Sequence, residues 1–238
     1  MGNQQSAQAN QPQIDFAPNV TTIKRIHDPR YGDIKLVRDN KTGEQMILKE
    51  LVVNTKEVFD REASFFTKRV TVSHPNFVRI YGYTTQDQQN FCSSYYKISI
   101  FIEVLTKDVE TELRERINIR IPFSENDILL IAENLIAGLS YFQTQNLSHG
   151  DIRPSNIFVT VNQCYKLSDP SLNYQKANGL AAAIIGSAKT LLSPQLIQQV
   201  PAQDFEIRCD RFKADVFSLG ATLLSLATLT HSEDIYDY

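Results

Sequence analysis

A chain of 238 residues with 42% hydrophobic and 10% aromatic content can bury a sizeable core in one or two domains. Its formal net charge of −3 gives no support for nucleic-acid binding, which usually needs a basic face. Its three cysteines, Cys92, Cys164 and Cys209, fit neither a disulfide framework nor a metal-ligand spacing, so a reducing compartment is the simpler expectation.

Residues 1–22 read as a disordered polar tail: positions 2–22 hold no Lys or Arg, and five Gln fall by position 13. Met1-Gly2-Asn3-Gln4-Gln5-Ser6 fits the N-myristoylation pattern at Gly2, although a polar tail can also begin Met-Gly by chance. One acyl chain gives only marginal, reversible membrane binding, and neither a polybasic run nor a Cys near Gly2 supplies a second signal. The expected location is the cytoplasm, peripheral to a membrane if Gly2 is acylated.

From Thr22 onward the pattern turns β-rich. Ile34, Leu36 and Met46, Leu48 alternate with polar residues around Thr42-Gly43, which predicts a hairpin with Lys49 at the end of its second strand. Residues 55–70 read as a helix ended by His74-Pro75-Asn76, and strands are expected at 77–84 and 96–103. Ser124 to Asn146 is the clearest helix: Ser124 can cap it, and Ile128, Ile131, Leu135, Leu139 and Phe142 recur at helical spacing. Short strands near 157–159 and 164–168 precede a low-charge loop over 170–195. An apolar helix beginning near Ala214 closes the pattern. Its segment Val216 to Leu229 is shorter than the roughly 18 residues of a membrane span and is broken by Ser218, Thr222, Ser225 and Thr228. Strands first and helices later predict an α+β fold, with a small β-rich lobe on a larger helical one.

Between the predicted helix and the short strands lies His149-Gly150-Asp151-Ile152-Arg153-Pro154-Ser155-Asn156. Asn156 follows Asp151 by five positions, and Asp169 follows Asn156 by thirteen. Taken singly, each could cap a loop, since Asp and Asn favour turns. Together their order and spacing resemble the catalytic loop and metal-binding Asp of the eukaryotic protein kinase family. Met46-Ile47-Leu48-Lys49, His74-Pro75-Asn76-Phe77-Val78, Ile102-Glu103-Val104-Leu105 and Asp215-Val216-Phe217-Ser218-Leu219-Gly220 extend the resemblance, in order, over about residues 24–230.

The resemblance implies a two-lobed kinase-like fold over 23–238, with an N-lobe to about 105 and a C-lobe cut short after its central helix. It implies ATP and Mg²⁺ as cofactors and a Ser or Thr of a protein as acceptor. Lys49 would hold the α- and β-phosphates and Glu62 would orient it. Gly32 belongs to the phosphate-covering loop, and Ile34, Ile47 and Phe158 surround the adenine slot. The backbone of Glu103 and Leu105 would pair with adenine. Asp151 would accept the substrate's proton, and Arg153, where serine/threonine kinases carry Lys, keeps a cation near the γ-phosphate. Asn156 and Asp169 would hold Mg²⁺, and Asp215 would anchor the catalytic loop.

The chain also departs from that pattern. The phosphate-covering loop carries His27, Pro29 and Gly32 where three glycines are expected, and Pro29 has no N–H to donate. Ile47 replaces a small residue and Phe158 lies on the opposite wall, so these side chains are expected to fill part of the adenine slot. Pro170-Ser171 follows Asp169 in place of Phe-Gly, Gly150 replaces the Arg that pairs with a phosphorylated activation loop, and Gln195 stands where an ion-paired Glu belongs. Two readings follow: an active serine/threonine-type kinase, or a pseudokinase serving as a binding or scaffold module for a protein partner.

Overall fold

The predicted hairpin is the middle of a larger sheet. The computed structural model describes residues 18–28, 32–90, 93–160, 162–168, 179–184, 191–204, 206–231 and 234–235, so Gly2, Pro29, Cys92, Asp169, Pro170 and Ser171 lie outside the described residues. Strands β1 (Val20–Asp28), β2 (Gly32–Asp39), β3 (Gln45–Val53), β4 (Ile80–Asn90) and β5 (Ser93–Glu103) pair antiparallel in the order β1-β2-β3-β5-β4. Gly43 turns the chain between β2 and β3 with φ +76°, in the left-handed region that favours glycine.

Alternation along β3 separates two faces. Met46 and Leu48 pack with Val37 and Phe101 on one. Ile47 and Leu51 face the other with Ile98, Ile100, Ile102 and, from the C-lobe, Phe158. Lys49 shares that second face, because side chains two apart on a strand point the same way. Helix α1 (Lys56–Arg69) covers it, burying Glu62, Phe66 and Arg69.

In the larger lobe, β6 (Lys107–Asp108), β7 (Ile157–Val159) and β8 (Tyr165–Leu167) make a small antiparallel sheet. Helices α2 (Val109–Ile119), α3 (Glu125–Thr144) and α6 (Arg211–Thr228) surround a core of Leu113, Ile131, Leu135, Phe142, Ile152, Ile157, Leu219 and Leu226. Ser124 and Asp127 cap α3 reciprocally: Asp127 N–H donates to Ser124 Oγ at 3.1 Å, and Ser124 N–H donates to Asp127 Oδ2 at 2.9 Å. Among the described residues no helix is long and apolar enough to cross a membrane.

The two lobes are joined by the segment after α1. Val78 N–H donates to Leu167 O at 3.0 Å and Leu167 N–H donates to Asn76 O at 2.8 Å, a strand-like bridge onto β8. Asn76 Nδ2 reaches Asn134 Oδ1 on α3 at 2.7 Å and Tyr165 O at 3.1 Å.

Several expectations are corrected. β1 begins at Val20, inside the span read as tail; it is a mostly exposed edge strand held by its ladder to β2, with no apolar alternation to read. Residues 77–79 dock on β8, and the β4–β5 hairpin instead extends outward, where Asp87 opposes Tyr96 and Asn90 opposes Ser93. Helix α2 was not foreseen among its charges. One stripe, Val109 and Leu113, is fully buried, Asp108 caps it, and Glu110–Arg114 and Glu112–Arg116 brace the outside. The loop read over 170–195 contains α4 (Gly179–Ile184) and the start of α5 (Pro194–Ile197). Helix α6 starts a turn early, at Arg211, because Asp210 caps it by accepting from the N–H groups of Phe212 and Lys213.

Candidate active site

The loop after α3 is held from below by a carboxylate. Asp215, buried in the first turns of α6, accepts the His149 N–H at Oδ2 and the Gly150 N–H at Oδ1, both at 2.7 Å. Burial pushes the Asp215 carboxyl above its usual range, against the pull of His149 and of those two N–H groups. Gly150 adopts φ +77°, so glycine suits the position directly before Asp151. His149 Nε2 lies 2.6 Å from Ser168 O, and Asp151 N–H points at its Nδ1 at 3.2 Å. A carbonyl can only accept, so the ring proton sits on Nε2.

Asp151 is buried, and Pro154–Asn156 form a 3-10 turn that brings Asn156 back to it. Asn156 Nδ2 donates to Asp151 O at 2.7 Å and to Asp151 Oδ2 at 2.9 Å. Arg153 Nη2 lies 3.2 Å from the same Oδ2. Asp151 Oδ1 is buried and has no hydrogen-bond partner among the described residues. One oxygen is therefore held in place while the other is left to accept. Because the Asn156 amide nitrogen is engaged, its carbonyl oxygen is the atom left for a cation. The Asn156 main chain continues the arrangement, its O accepting the Ser168 N–H at 2.8 Å. Asp169, the next residue, lies outside the described residues.

In the smaller lobe, Lys49 is buried on β3 and Glu62 is buried on α1. The expected Lys49–Glu62 pair is not formed. Glu62 Oε1 is paired with Arg61 Nε, its neighbour in the chain, at 3.3 Å. Burial pushes the Glu62 carboxyl above its usual range, and the exposed Arg61 guanidinium only partly offsets this. Whether Lys49 and Glu62 pair depends on how α1 is set against the sheet.

Ile34 opposes Lys49, and Ile47 opposes Ile102, in register. Ile47, Leu105 and Phe158 belong to one apolar cluster. Strands β1 and β2 pair as far as Asp28 opposite Gly32, and exposed His27 and Asp33 pair at 2.8 Å.

Glu103 has a role that its sequence position did not reveal. Its carboxylate accepts the Arg79 N–H at 2.7 Å and Lys166 Nζ at 2.8 Å on each oxygen, while its own N–H donates to Arg79 O at 3.1 Å. Glu103, the last residue of β5, is thus tied both to the segment after α1 and to β8. No local pattern signals this, since Lys166 is 63 positions from Glu103. A cavity of about 230 Å³ lies beside this tie, lined by Val72, His74, Pro75, Phe77, Arg79 and Lys166; none of Lys49, Asp151 or Asn156 borders it.

The sequence profile of the protein kinase domain matches residues 21–233. The chain belongs to the protein kinase family. Among curated proteins this kinase-family chain is 30% identical over 220 residues to the probable serine/threonine-protein kinase nek3 of Dictyostelium discoideum, covering 88% of the chain and 18% of that protein. It is 29% identical over 197 residues to mitogen-activated protein kinase kinase kinase 1a of Physcomitrium patens, covering 82% and 22%. Against the dual specificity mitogen-activated protein kinase kinase sek-1 of Caenorhabditis elegans it is 23% identical over 218 residues, covering 90% and 61%. It therefore spans less than two thirds of the length of each of these relatives.

Proposed function

We propose that this kinase-family chain binds Mg·ATP between its lobes and transfers the γ-phosphate to a Ser or Thr hydroxyl of a protein substrate. The observation that carries the reading is the buried Asp151, whose Oδ2 is fixed by Asn156 and Arg153 while Oδ1 has no partner among the described residues. An acceptor oxygen with no bond to break suits a group that takes a hydroxyl proton. Asn156, with Asp169, would hold the metal through oxygen, as a hard cation requires. Lys49 would hold the α- and β-phosphates, the Arg153 guanidinium would stand by the transferred group, and the backbone of Glu103 and Leu105 would meet the base. Mg²⁺ would supply charge neutralisation between the phosphates. Phosphoryl transfer asks the protein mainly for positioning and electrostatics, and Asp215, which holds the loop backbone, serves positioning.

The alternative is a nucleotide-binding or scaffold module without transfer, which the similarity to proteins named as kinases does not favour. Phosphate transfer from labelled ATP to a generic protein substrate separates the two. Asp151→Asn is expected to lower the rate by at least ~100-fold. Full activity in that variant would remove Asp151 from the mechanism. A wild-type chain that is stabilised by Mg·ATP yet transfers nothing would leave the second reading.

A further inference from the structure

We infer that the cavity beside the Glu103–Lys166 tie is a binding site for a compact organic anion, a carboxylate or phosphate carried on a small apolar body, and that its occupant competes with Glu103 for Lys166. The inference is independent of the Mg·ATP reading, because none of Lys49, Asp151 or Asn156 borders the cavity.

Among the described residues the lining includes two cations, Arg79 and Lys166, and no Asp or Glu. Arg79 is exposed and makes no ion pair among the described residues; its guanidinium rests over the Tyr81 ring, 4.6 Å from the centre. Lys166 Nζ meets both Glu103 oxygens at 2.8 Å, and these two side chains are only 16% and 19% exposed. Two cations are thus balanced by one carboxylate. A net positive charge is left beside the cavity, and partial burial strengthens its pull relative to water. His74 adds a directed donor. Asn76 N–H donates to its Nδ1 at 3.2 Å, which puts the ring proton on Nε2, and Nε2 has no partner among the described residues. Burial lowers the His74 pKa, so at neutral pH the ring offers a hydrogen bond and not a charge. Val72, Pro75 and Phe77 supply an apolar seat for a ring or short chain. The volume of about 230 Å³ falls below the ~300–1,000 Å³ of sites for drug-sized ligands, so the occupant is compact. An anion drawn to Lys166 shares it with Glu103, whose carboxylate also accepts the Arg79 N–H at 2.7 Å. Occupancy therefore loosens the contact between β5 and β8, and by linkage the loss of the Glu103 charge tightens the anion.

Titration of the full chain with benzoate and with phenyl phosphate, followed by backbone amide NMR, tests the inference, with neutral benzyl alcohol as the control. At least one of the two anions is expected to shift the amides of Ser73, His74 and Arg79 saturably, and benzyl alcohol to bind at least ~10-fold more weakly. Arg79→Gln, at an exposed position, and Lys166→Met should each weaken the anion at least ~10-fold, and the first keeps the test valid if the second does not fold. Lys49→Met should leave the affinity unchanged, and Glu103→Gln should raise it at least ~5-fold. Failure of both anions to bind would overturn the site. So would unaltered affinity in Arg79→Gln, or loss of the shifts in a folded Lys49→Met chain, which would put the anion elsewhere. Equal binding of benzyl alcohol would make the cavity an apolar pocket and overturn its preference for anions. Unchanged affinity in a folded Glu103→Gln chain would overturn the competition for Lys166.

Discussion

Gly138 and Gly220 offer the same substitution on two helices with opposite expected results. Replacing a helical glycine by alanine removes unfolded-chain freedom and favours the helix by about 0.8–1 kcal/mol. At Gly220, exposed on α6, an added Cβ meets nothing within 4 Å, so Gly220→Ala should realise that gain. At Gly138, buried on α3, the Cβ would lie 3.2 Å from Phe77 Cε2, 3.5 Å from Asn76 Cβ and 3.6 Å from Asn76 O. Phe77 has no room to retreat: its ring is stacked on Phe142 at 3.8 Å, and the Arg69 guanidinium lies 5.4 Å from its centre. Asn76 is fixed by Asn134 and Tyr165 O. Overpacking of such a contact costs about 1–3 kcal/mol, which exceeds the helix gain, so Gly138→Ala should lose about 1 kcal/mol net. Urea unfolding with an unchanged slope should place the two variants about 2 kcal/mol apart, or roughly 4–8 °C in Tm for a domain of this size. Equal stabilisation by both would refute the reasoning, because it would mean that the segment joining α1 to the C-lobe yields freely where it rests on α3.

Asp215→Asn keeps one acceptor oxygen but turns an NH₂ toward a backbone N–H. A buried unsatisfied donor costs about 1–3 kcal/mol, partly offset by removal of a buried charge, so a net loss of roughly 1–2 kcal/mol is expected, with kcat falling more than the ATP KM rises. Unchanged unfolding midpoint and kcat would show that Asp215 does not hold the loop. Glu62→Gln tests the charge on α1. Because burial raises the folded-state pKa of Glu62 above its ordinary 4.5, the folded chain binds the proton more tightly, and the stability this contributes is lost as pH rises through the raised value. Melts from pH 4 to pH 8, spanning about four units around that region, should therefore show the Gln variant gaining on the wild type as pH rises. A gain that instead grows toward low pH would mean that Glu62 is held ionised by a cation, as a Lys49 pair would do.

The sequence alone determined the α+β, two-lobed kinase fold, because its motifs are local and ordered. The Asp151-to-Asn156 spacing lies within one loop, Lys49 sits in a strand whose alternation is plain, although that strand runs on to Val53 and does not end at Lys49 as expected, and the α3 stripe from Ile131 to Phe142 is regular. What was illegible has little local signature. β1 is an exposed edge strand defined only by its partner, and α2 hides one buried stripe among ion-paired charges. The tertiary structure alone decided three matters of the site. It set Glu62 against Arg61 and not Lys49, joined Glu103 to Arg79 and Lys166, and left Asp151 Oδ1 buried without a partner among the described residues. The physical reason is range. A pattern along the chain fixes which face of a strand or helix is apolar, but ion pairs and buried carboxylates depend on distances of a few ångströms between elements far apart in sequence, and only packing sets those.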